Sequence, residues 1–279
     1  MPSAAHPALV RAIGRWSLAA LMINSIIGSG IFGLPSSVFG LVGAASPWAV
    51  LIAGMAVGVI MACYAEVASQ FSDAGGPYLY ARAAFGRLLG IETGWLLWLA
   101  RLTAPAANAN LFVIYLGEFW PHAKDPLPRF AILTLLIGIL AIVNFCGVRA
   151  GTQVSNVFTV AKLFPLIGIA IAGVVYLASG HGIVHPVTPV AGSGSWLKAI
   201  LLLVFAYGGF ETALTPMSEA KDPRRDSVFA LFTALITCTL LYTAIQWIVV
   251  GVLADPAHAA RPLAEVARLI FGRVGAGWV

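Results

Sequence analysis

Charged residues are scarce in this chain. Asp, Glu, Lys and Arg together make up 10% of its 279 residues, against about a quarter in a soluble domain. That deficit excludes an ordinary water-facing surface. Cysteine is almost absent as well: Cys63, Cys146 and Cys238 lie in or beside apolar runs, with neither paired nor metal-type spacing. No disulfide framework and no metal centre is expected, and the three thiols read as small core residues. The five histidines show no ligand spacing either. No phosphate-cradling glycine loop is present, which argues against a nucleotide-driven pump domain. The net charge of +5 forms no basic stripe, so nucleic acid is not an expected partner. No cofactor is expected.

What the chain has is apolar surface in long stretches. Hydrophobic residues are 60% of it and mean hydropathy is +0.92. Seven runs can be read, at 16–40, 44–69, 88–119, 130–147, 153–178, 196–217 and 228–253. Each matches or exceeds the roughly 17–25 residues that cross about 30 Å of hydrocarbon at 1.5 Å per residue. The expected fold class is therefore all-α transmembrane, a single membrane domain over 1–279 and multi-pass. Gly275–Val279 reads as the start of an eighth run. Arg11 and Arg15 ahead of the first run look like a secretory n-region, yet the repeated spans favour a retained helix.

Loop charges set the expected orientation. With the N-terminus cytoplasmic, Arg11, Arg15, Arg82, Arg87, Arg149, Lys221, Arg224 and Arg225 lie inside. Lys124, Arg129, Lys198, Arg261, Arg268 and Arg273 then lie outside. The basic excess favours that choice, with the plasma (inner) membrane as the expected location. Residues Pro262 to Phe271 carry apolar side chains at 263, 266, 269 and 270. This spacing predicts a short amphipathic helix on the outer surface.

Two runs are interrupted. The first reads Ile26-Ile27-Gly28-Ser29-Gly30-Ile31-Phe32, the sixth Phe205-Ala206-Tyr207-Gly208-Gly209-Phe210-Glu211. Weakened helix at membrane depth is tolerated only where it is buried in protein or lines a cavity. Glycine interruptions in corresponding helices of two halves point to a transporter's central site. A half-helix starting near Ser29 offers N–H groups and a positive dipole end to a carboxylate. The stretch 205–209 offers carbonyls to an ammonium. A small-residue packing seam is the alternative for either run alone.

Four pieces carry a resemblance to the amino acid–polyamine–organocation (APC) superfamily of permeases. They are Ile27 to Phe32; Phe71 to Tyr80, running on to Ala83, Phe85 and Gly86; Phe205 to Glu211; and Ser218 to Asp226. The resemblance implies an APC-type broken-helix transporter, a five-plus-five inverted repeat. Residues 16–178 would be the first repeat and 196–279 an incomplete second, cut after about seven spans. The implied function is secondary transport of amino acids or related amines, proton-coupled or by exchange, and not enzymatic. A truncated, non-transporting permease fragment is the alternative reading, and a seven-helix receptor a remote one. Expected partners are a small-molecule amino acid, the lipid bilayer, protons and a second copy of the chain.

The resemblance also assigns residues. Gly28, Ser29 and Gly30 would hold the substrate carboxylate, and the carbonyls of Ile26, Phe205 and Gly208 its ammonium. Phe205 sits where relatives place a gating aromatic. Gly208 stands where some relatives have a larger residue, a hint toward large neutral side chains. Lys162 would put its ammonium where sodium-coupled relatives bind the cation, with snorkelling to the interface as the alternative. Glu211, an intramembrane carboxylate, is a coupling or gating candidate; a salt bridge or a helix-capping role competes with that. Arg101 is read as facing a cavity or a buried partner. Asn24, Asn108 and Asn110 read as interhelical hydrogen-bonders.

Overall fold

The computed structural model describes residues 14–71, 75–145, 148–185, 192–214, 220 and 222–272. Arg11, Cys146, Lys221, Arg273 and the run from Gly275 to Val279 lie outside the described residues. So do Ser72–Ala74 and Ser218–Glu219, parts of two of the resembling pieces. Among the described residues the secondary structure is helical and no strand occurs.

Eleven α-helices follow one another in this described part: α1 (Arg15–Ile26), α2 (Ser29–Val42), α3 (Ser46–Gln70), α4 (Pro77–Phe85), α5 (Arg87–Leu116), α6 (Pro126–Phe145), α7 (Val148–Tyr176), α8 (Ser193–Tyr207), α9 (Phe210–Ala213), α10 (Pro223–Val252) and α11 (Pro262–Phe271). Among the described residues, four helical stretches are long and apolar enough to cross a membrane: Ser29–Gln70, Pro126–Val143, Thr159–His181 and Arg224–Val252. With the composition and the family found below, they make the chain a membrane protein.

Local chemistry sets the ends of several helices. Proline stands first in α4, with Gly76 (φ 55°) before it and Gly86 (φ 89°) after it. Proline's fixed φ suits a first turn and glycine tolerates the left-handed residue that ends one. At the start of α10, Arg225 N–H donates to Asp222 Oδ1 at 3.4 Å, and Asp222 N–H donates to Asp226 Oδ2 at 3.0 Å. This reciprocal cap satisfies donors that a helix start leaves free.

The chain divides into two compact units. The first comprises Met1–Ile27, Gly54–Arg101 and Tyr207–Thr239. In it Trp16 meets Phe229 edge-on at 4.9 Å, with the Arg15 guanidinium 5.7 Å above the same ring. Leu18, Ala19 and Met22 of α1 and Leu231, Ala234 and Cys238 of α10 are core residues there. Cys238 is thus a small core residue as expected, whereas Cys63 is exposed on α3.

The second unit comprises Gly28–Ala53, Leu102–Ala206 and Leu240–Val279. Here α2 packs on the 3₁₀ turn Pro256–His258 and on α11, and α11 packs on α7. Gly173 makes room for Ile248, whose side-chain carbons lie 2.6–2.8 Å from where a Cβ would stand. α11 has the predicted bounds but turns Leu263, Ala264, Val266 and Ala267 inward, leaving Leu269 54% exposed.

Candidate functional site

Both interruptions fall inside apolar helices, and each unit holds one side of them. In the first unit α1 ends at Ile26, and Ile27 N–H returns to Ile23 O at 3.0 Å. α9 packs on α1. Gly209 has φ 108°, and a Cβ there would collide with the Ser25 carbonyl group. Only glycine combines that backbone angle with so close an approach. The Gly209 N–H donates to both Glu211 oxygens, at 3.2 and 3.0 Å, so this carboxylate serves a freed backbone donor. Phe210 meets Tyr64 edge-on at 5.3 Å.

Just before the sixth-run interruption, Tyr207 is fully buried. A Cβ on Gly54 would stand 3.0 Å from the Tyr207 hydroxyl and 2.7 Å from Thr239 Oγ1. The glycine thus makes the notch that seats the tyrosine at the end of α8.

In the second unit α2 starts at Ser29, whose N–H donates to Asn108 Oδ1 at 3.0 Å. Gly28, extended at φ −122° and ψ −150°, precedes it. A Cβ on Gly30 would lie 2.8 Å from both Cα and Cβ of Ala206, so α2 and α8 touch backbone to backbone. Further along, Tyr115 Oη donates to Phe32 O at 2.8 Å, and Gln246 Nε2 to Pro35 O at 3.1 Å and Ser46 Oγ at 2.9 Å. Tyr242 Oη donates to Ala206 O at 3.2 Å. An interrupted helix leaves carbonyls without their i+4 donors, and in an apolar setting each must find another. Tyr242 of α10 serves such a carbonyl at Ala206, and Asn108 of α5 accepts from the first N–H of α2; Phe32 O and Pro35 O lie within α2 and take Tyr115 and Gln246 as additional donors.

The expected site residues are distributed accordingly. Ile26, Gly208 and Glu211 belong to the first unit; Gly28, Ser29, Gly30, Phe205 and Lys162 belong to the second. Phe205 is half exposed, next to the Ala206 that Gly30 touches. Lys162 is half-buried near the middle of the 29-residue α7. Arg101 is exposed on α5. Asn108 and Asn110 both bond between helices as expected: Asn108 accepts from Ser29 of α2, and Asn110 Oδ1 accepts from Arg129 Nη2 of α6 at 2.6 Å while its Nδ2 donates to Ala106 O of its own helix.

Tyr115, Tyr242 and Gln246 were not singled out by sequence. Their signal is weak: a lone polar group in an apolar run, with nothing to name its partner. Among the described residues no cluster of three or more His, Cys, Asp or Glu could hold a metal ion.

Known proteins give the family. The profile described as "Amino acid permease" matches residues 13–279. A mitochondrial cationic amino acid transporter 3 of Arabidopsis thaliana is 29% identical, over 92% of this chain and 45% of its own length. The methylthioribose transporter of Bacillus subtilis is 28% identical, over 88% of this chain and 56% of its own. The branched-chain amino acid permease of Bacillus subtilis is 26% identical, over 97% and 61%. The chain thus spans about half the length of these relatives. With a profile covering nearly all of it, the chain belongs to the amino acid permease family of the APC superfamily, a family of transporters and not of enzymes.

Proposed function

We propose that this chain carries the substrate-binding part of a secondary active transporter for amino acids or related amines. The observation that carries the proposal is the start of α2 at Ser29 after an extended Gly28, within an apolar run of a permease-family chain. Membership supports the class of cargo; the residues argue for its mode of binding. The N–H groups around Gly28, Ser29 and Gly30 suit a carboxylate at the positive end of α2. The carbonyls of Ile26, Phe205 and Gly208 suit an ammonium, and Phe205 suits a gate. Gly208, standing where some relatives have a larger residue, argues for a large neutral or aromatic amino acid as cargo. Competition in which arginine or lysine displaces the label better than leucine or phenylalanine would count against that choice.

Transport is driven by protons or by exchange, in the plasma (inner) membrane with the N-terminus cytoplasmic. Lys162 is the coupling residue of this proposal. Lys162 is half-buried in the apolar helix α7, where an ionisable side chain is a functional candidate by default. In proteoliposomes, Lys162→Met is expected to abolish stimulation of uptake by an inward pH gradient while exchange of labelled for unlabelled substrate persists. Gradient-stimulated uptake at the wild-type rate in that variant would remove Lys162 from the mechanism.

A further inference from the structure

The segment Pro256–Phe271 is tied to two helices of the second unit. Ser36 Oγ of α2 donates to Ala259 O at 2.7 Å, and Leu263, Ala264, Val266 and Ala267 are buried in the same unit. At the end of α5 the tie is ionic. Glu118, just past Leu116, receives Arg261 Nη2 at 2.8 Å and Arg268 Nη1 at 3.3 Å. The Glu118 and Arg261 side chains are 17% and 19% exposed, that of Arg268 48%. Gly117 makes the crossing possible: a Cβ there would stand 3.0 Å from Lys124 Cε and 3.6 Å from Arg261 Nη1.

This arrangement is poised rather than saturated. Arg261 Nε and Nη1 are buried without a hydrogen-bond partner among the described residues. Arg261 also stands at the N-cap of α11, the end where a helix dipole disfavours a cation. Lys124 adds a third positive charge close by, and Glu265 in the first turn of α11 is the other carboxylate. A guanidinium so placed is held by Glu118 and would regain hydration on leaving. α5 also grips α2 directly, through Asn108 to Ser29 and Tyr115 to Phe32. α2, α5 and the strap 256–271 therefore close a triangle with one ionic edge.

We propose that Glu118 with Arg261 and Arg268 is a latch. Closed, it keeps α2 seated on α5 through the strap; released, it lets the strap and α2 part from α5 and bares the start of α2 at Ser29. Its meaning for transport rests on the reading of that helix start as the carboxylate site, but the latch itself is read without substrate.

Leu111 of α5 marks the seam, its Cδ1 lying 3.3 Å from where a Cβ on Gly33 of α2 would be. With the three native cysteines replaced, Leu111→Cys in the full chain is reacted with a water-soluble maleimide in lipid nanodiscs. Glu118→Gln is expected to raise the labelling rate about tenfold or more, since labelling follows the open population. Arg268→Gln, which spares the shorter pair, gives a smaller rise, and Glu118→Asp restores slow labelling. Unchanged labelling in either Gln variant eluting as a monodisperse peak overturns the latch. Because no transport is measured, failure here is separate from failure of the carboxylate site.

Discussion

Gly30 bears a close helix contact at the first interruption, since any side chain there meets the Ala206 backbone as well as its methyl. A flexible neighbour could yield, but a helix backbone cannot without moving α8 as a whole. Gly30→Val is therefore expected to cost about 1–3 kcal/mol of stability, the usual penalty of overpacking, read as a lower unfolding temperature in detergent. Gly14 and Gly168, with open space where a Cβ would go, should tolerate alanine, so the effect belongs to the contact rather than to glycine. The sequence marks the first interruption by Gly28-Ser29-Gly30 and the second by Gly208-Gly209, each within an apolar run. It leaves unreadable which side chains brace the backbone around them, because Asn108, Tyr115, Tyr242 and Gln246 reach partners far away along the chain. Glu118 and its two arginines are hidden for the same reason: a loop charge carries no address.

Among the elements, α9 decides how Glu211 is understood. Its carboxylate takes the Gly209 N–H, the capping role that competes with coupling in the sequence reading. If capping is its whole task, Glu211→Gln keeps an acceptor and retains most uptake with the pH response intact, whereas Glu211→Ala loses it. A Gln variant that transports but no longer responds to a pH gradient would restore the coupling role. α4 was legible in retrospect from Gly-Pro at its start and glycine at its end, signals read only as part of a family motif. α11 was readable in its bounds, since spacing alone fixes an amphipathic helix. Its buried face was read less well: Ala264 and Ala267 turn inward with Leu263 and Val266, because small residues let α11 lie close to α2 and α7.

At the scale of the molecule, the fold class followed from composition: with 60% hydrophobic and 10% charged residues, apolar helices are what the chain can build. The family followed from short polar pieces held between particular spans, and the profile over residues 13–279 establishes it. The central claim concerns the first interruption, and counterflow of a labelled amino-acid mixture into proteoliposomes, beside a Ser29→Trp control, tests it most directly. Uptake in the unmutated chain that the indole abolishes is the predicted result. Uptake that persists in the Ser29→Trp protein would contradict it.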